Sequence, residues 1–74
     1  EMIVWGGVPA IDTGGRYHPA TDSWIATTTT NAPSGRFRHT AVWTGGEMIV
    51  WGGDAATVAQ NTGGRYSPAT NSWT

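Results

Sequence analysis

The chain has 74 residues with four Arg, no Lys, three Asp and two Glu, for a formal net charge of −1. That length permits one small domain, which buries only about 60% of the surface its unfolded chain exposes and is marginal alone. No cluster of cations is present to grip phosphates, so nucleic acid is not an expected partner. The absence of cysteine removes disulfides, thiolate metal sites and cysteine nucleophiles, and leaves the redox compartment open.

Apolar runs reach four residues, too short for a membrane-spanning helix, and no membrane partner is expected. No signal peptide is visible, and the chain reads as starting inside a repeat. Gly contributes 11 residues and Trp five, while Leu and Lys are absent. Short β-branched and aromatic runs separated by Gly, Pro, Asn and Asp predict many short strands and no helix beyond a single turn.

The first predicted strand is 2–5, an unbroken apolar run that ends in Gly6 and Gly7. An apolar run without alternation suits a strand covered on both faces. Glycine after it permits positive φ or close approach of a neighbouring backbone. Residues 8–12 form a loop, and strands follow at 14–17 and 23–27. Pro19, Ala20, Thr21 and Asp22 join them with turn chemistry, so Tyr17 and Trp24 face each other across a hairpin. Residues 28–36 are a linker rich in Thr. A strand is predicted over 37–43 and a turn over 44–46.

Then the chain repeats itself. Residues 1–7 return as 47–53, an offset of 46, and the sequence Thr-Gly-Gly-Arg-Tyr at Thr13 returns at Thr62, an offset of 49. The three extra residues fall in the loop 54–61, where length variation between repeats belongs. Strands are predicted at 47–51, 63–66 and 73–74. One full unit is therefore four antiparallel strands, a to d, over 37–74. Residues 1–27 supply only b, c and d.

A four-stranded unit at this period suggests a propeller blade. An apolar run ending in Gly-Gly, then Tyr, then Trp seven residues later, resembles the kelch repeat. The series Gly6, Gly7, Tyr17, Trp24 and Gly52, Gly53, Tyr66, Trp73 both match, over nearly the whole chain. The resemblance implies an all-β fold of four-stranded antiparallel propeller blades, here an incomplete ring. It also implies a binding module rather than an enzyme. The copper oxidases among kelch-type propellers use a Tyr cross-linked to Cys, which this chain cannot form. A PQQ-type repeat is the runner-up, but it gives no reason for the paired glycines; a WD40 repeat lacks its Trp-Asp dipeptide here.

Single residues have bland and sharp readings. Trp5, Trp24, Trp51 and Trp73 hold repeat positions and are expected in the core rather than on a glycan platform; Trp43 has no counterpart and is the expected exposed one. Arg16 and Arg65 match and are expected to be structural. His39 reads as a structural hydrogen-bonding group. No residues stand at metal-ligand or catalytic-triad spacing, and no phosphate loop is present, so no cofactor, metal or catalytic residue is assigned. Arg36, Arg38 and His39 at the start of strand a lie at the same end as the long loops. Together with Asp54, Thr57, Gln60 and Asn61 they form the expected binding face, since recognition concentrates on variable loops. An anionic group is expected to be favoured there, and bridging of blades through backbone carbonyls is the structural alternative for the arginines.

One and three-quarter blades cannot close a ring of about four to eight. The expected partners are other copies of the chain or the remainder of a larger propeller, and a protein or glycan ligand. The expected function is a non-enzymatic scaffold. Alternatives are a purely structural ring- or filament-forming unit, and a piece of a propeller enzyme or lectin-like propeller.

Overall fold

The computed structural model describes all 74 residues, none of them helical. The strands are β1 (Met2–Trp5), β2 (Gly14–His18), β3 (Ser23–Ala26), β4 (Thr40–Trp43), β5 (Met48–Trp51), β6 (Asp54–Ala55), β7 (Val58–Ala59), β8 (Gly63–Ser67) and β9 (Ser72–Trp73). They form a three-stranded sheet β1-β2-β3, a four-stranded sheet β4-β5-β8-β9 and a two-stranded ribbon β6-β7, all antiparallel.

The repeated sequence folds the same way twice because its local instructions are the same. Met2 pairs with Tyr17 and Tyr17 with Trp24. Met48 pairs with Tyr66 and Tyr66 with Trp73. The hairpin turns end on Asp22 (φ 51°) and Asn71 (φ 48°), two residue types that tolerate the left-handed region. Each also accepts the phenolic hydrogen of its Tyr, Tyr17 to Asp22 Oδ1 at 2.7 Å and Tyr66 to Asn71 Oδ1 at 2.6 Å. The ring pairs are nearly superimposable: Tyr17–Trp24 lie 5.1 Å apart at 45°, Tyr66–Trp73 5.1 Å apart at 50°.

The two large sheets stack face to face, and the core lies between them. It consists of Trp5 from the first sheet with Met48, Val50, Tyr66 and Trp73 from the second; Ile3 and Ala32 pack against it. Trp5 and Trp73 meet at 5.4 Å. Both indole N–H groups are satisfied by carbonyls, Trp5 by Asp12 at 3.1 Å and Trp73 by Thr28 at 3.0 Å. Arg16 crosses the same interface to the Pro68 carbonyl at 3.0 Å.

Several expectations are corrected. Strand b of the second repeat is not covered on both faces: Met48 and Val50 are buried, whereas Ile49 and Trp51 are exposed. Trp24 and Trp51 are each 56% exposed, against 7% for Trp5 and 4% for Trp73, so only half of the repeated Trp positions are core. A second sheet covers one face of each repeat and nothing covers the other. The strand expected over 37–43 begins at Thr40. Phe37 instead forms an isolated bridge to Asp54, and Arg38 takes φ 58°, which breaks the ladder between them. The loop 54–61 contains the β6-β7 ribbon, turned at Ala56 (φ 57°). Gly53 (φ 87°) lies under that crossing, where a Cβ would come within 2.6 Å of the Phe37 carbonyl oxygen.

Candidate functional site

The loop end holds the residues expected to form the binding face, and they divide into three groups. Arg36 is fully buried. Its Nε donates to the Ser34 carbonyl at 3.0 Å, and Nη1 to the carbonyls of Gly52 (3.0 Å) and Thr62 (2.6 Å). Its Nη2 donates to the hydroxyls of Ser34 (3.1 Å) and Thr62 (2.9 Å). The backbone of the same residue reaches the first repeat: Gly7 N–H donates to Arg36 O at 2.9 Å, and Arg36 N–H to Ile11 O at 3.2 Å. Arg36 therefore ties the loops of both sheets together, and its charge faces only neutral oxygens. Burial lowers its pKa from the ordinary arginine value, because the charged form loses hydration.

Arg38 and Asp54 form the second group. Nε and Nη2 of Arg38 both reach Asp54 Oδ2, at 2.9 and 2.7 Å, and the guanidinium sits 5.2 Å from the centre of the Phe37 ring. The Arg38 side chain is mostly in water. An exposed pair of this kind contributes only about 0–1 kcal/mol, so it can exchange the carboxylate for an external anion at small cost.

His39 is the third case. Its ring packs edge-on against Trp5 at 5.3 Å, and Nδ1 is buried without a hydrogen-bond partner. The structural hydrogen bond expected of His39 is not made at its buried Nδ1; the ring acts as a wedge. A Cβ at Gly6 would fall 2.7 Å from His39 Cε1, so glycine at that position makes room for it. Of the remaining residues, Thr57 lies exposed in the turn of the β6-β7 ribbon and Asn61 is exposed beyond it. Gln60 is held, by its N–H to the Gly53 carbonyl (2.8 Å) and by Nε2 to the Val58 carbonyl (3.1 Å). The loop end thus presents Arg38, Thr57 and Asn61 to solvent, holds Asp54 half-buried against Arg38, and withdraws Arg36.

A cavity of about 720 Å³ lies at the opposite end, between Glu1 and Ile3 of the first sheet and Trp43, Met48, Gly45 and Pro68 of the second. Its origin follows from topology. β5 lies between β4 and β8, but its counterpart β1 has only β2 as a neighbour. Nothing in the first sheet stands where β4 stands in the second. Residues directly opposite in register share a face, and Trp43 pairs with Met48, so Trp43 points towards the first sheet. With no strand there to meet it, Trp43 is 54% exposed, as expected for the unmatched Trp. The residues at this end were not among the expected binding residues; the missing counterpart of residues 37–43 in the first repeat was the available signal.

No group of three or more His, Asp or Glu side chains gathers anywhere in the chain. No protein-family model matches the sequence, and no curated protein or solved structure matches it.

Proposed function

We propose that the chain is a pair of kelch-type propeller repeats, one complete and one lacking its first strand, that serves as a non-enzymatic scaffold for binding a protein or glycan. The observation that carries this reading is the doubled register. Met2, Tyr17 and Trp24 line up as Met48, Tyr66 and Trp73 do, in sheets that stack face to face around Trp5 and Trp73. Sheets stacked in this way are the building principle of a propeller, in which each blade contacts its neighbours through both faces. In such an arrangement β4 is innermost. The loop end then carries Arg38, Asp54, Thr57 and Asn61 on a support made rigid by the Arg36 clamp, and contact with a ligand is assigned to that end.

The test is a binding screen of the purified chain against a glycan array and a displayed peptide library. It is repeated with residues 54–61 replaced by the shorter segment 8–12 of the first repeat. The expected result is a binder that the replacement abolishes while the near-ultraviolet dichroism of the buried tryptophans is unchanged. A binder that survives the replacement but is lost in Trp43→Ala moves recognition to the cavity and refutes the loop assignment. Chemical conversion of an arrayed glycan refutes the non-enzymatic reading.

A further inference from the structure

The two exposed faces of the molecule are chemical copies of the two faces that are buried against each other. The first sheet buries Trp5 and packs a half-buried Ile3 beside it; the second exposes their counterparts, Ile49 and Trp51. The second sheet buries Met48, Val50, Tyr66 and Trp73. The first leaves Met2, Val4 and Trp24 exposed and Tyr17 half-buried. The open face of the first sheet is also preformed. Its Tyr–Trp ring pair has the geometry of the buried pair, and its Tyr is locked by Asp22 as Tyr66 is by Asn71.

We propose that the chain binds a second copy of itself head to tail, with Ile49 and Trp51 of one copy docked on Met2, Val4, Tyr17 and Trp24 of the next. The internal interface is the template for the external one. Trp51 meets Trp24 of the partner copy as Trp5 meets Trp73. Arg65, now half exposed and 3.5 Å from Glu47, donates to the Pro19 carbonyl of the partner copy as Arg16 donates to Pro68. Because the two faces differ, the contact is heterologous, and it propagates until the accumulated rotation closes a ring or extends as a filament. The proposal rests on the reading of the two sheets as successive members of one stack.

Light scattering and sedimentation over a dilution series test it, with the chain itself as probe. The wild-type mass is expected to rise to two chains or more with concentration. Trp51→Glu and Trp24→Glu each destroy one face and are each expected to stay monomeric. An equimolar mixture of the two retains one intact face of each kind and is expected to give a dimer of one chain of each, and nothing larger. Arg65→Ala is expected to weaken association several-fold. A wild type that is monomeric throughout overturns the proposal, as does a variant that assembles alone or a mixture that stays monomeric. The buried Trp5–Trp73 pair separates the two levels of failure. If a monomeric wild type keeps its near-ultraviolet signal, the stack survives and only the docking fails; if the signal is missing, the stacked-repeat reading fails as well.

Discussion

Trp24 and Trp73 occupy the same position in two copies of one motif, and the structure predicts that they differ sharply in energetic weight. Each pairs with its Tyr at 5.1 Å, so the loss of that contact is common to Trp24→Ala and Trp73→Ala and cancels between them. What differs is burial, 56% exposed for Trp24 against 4% for Trp73. On a side chain of about 250 Å² the difference is about 130 Å², or about 3 kcal/mol at about 25 cal/mol per Å². Trp73→Ala further strands the Thr28 carbonyl that the indole N–H now satisfies. Removal of a buried Trp costs about 3–5 kcal/mol in total, which a domain of this size cannot absorb. In dilute solution Trp24→Ala is expected to leave a cooperative unfolding transition, and Trp73→Ala to lose it. The assay is urea unfolding followed by tryptophan fluorescence and far-ultraviolet dichroism, at one fixed low concentration because association would add its own stabilisation. Equal destabilisation by the two variants would falsify the one-sided packing on which the argument rests.

Arg36→Ala is expected to lower stability by about 3 kcal/mol in the same assay, since three carbonyls lose their donor at about 1 kcal/mol or more each. Arg36→Lys should recover only part of the loss, because one ammonium cannot span Ser34, Gly52 and Thr62; full recovery would show that charge alone matters. Gly53→Ala places a Cβ against the Phe37 carbonyl at φ 87° and is expected to cost about 1–3 kcal/mol, read as a lowered urea midpoint. Burial, partly offset by Arg16 and reinforced by Glu1, raises the Tyr66 pKa above its ordinary 10.0. The folded state therefore holds that proton more tightly than the unfolded state does. Stability present below pH 10 should fall as pH rises past it, and Tyr66→Phe should flatten that fall; an unchanged slope would remove Tyr66 as its cause.

The sequence repeat was enough to locate seven of the strands and their antiparallel order, because apolar runs, Gly-Gly stops and Pro-to-Asx turns act over a few residues. Other features carried no readable local signal or depend on contacts between distant residues. The β6-β7 ribbon is a local hairpin that turns at Ala56, a residue without turn preference, and strand β4 loses its first residues to the Phe37–Asp54 bridge between segments distant in sequence. Of the candidate site, the loop end was legible from loop lengths, and the position of Arg38 with it. Carbonyl bonding by Arg36 was the structural alternative the sequence offered, but its particular acceptors were not legible, since apart from Ser34 they lie 16 and 26 residues away.

By itself the sequence determined that the chain is all-β, that it says the same thing twice, and that each repeat pairs a Tyr with a Trp across a tight hairpin. Those are properties of segments shorter than a repeat. Only the tertiary structure decided which copy of each residue is core. Trp5 is buried and Trp51 is not, Trp73 is buried and Trp24 is not, although their local sequences are nearly identical. Burial is conferred by what lies across the interface, and each sheet has a neighbour on one face only.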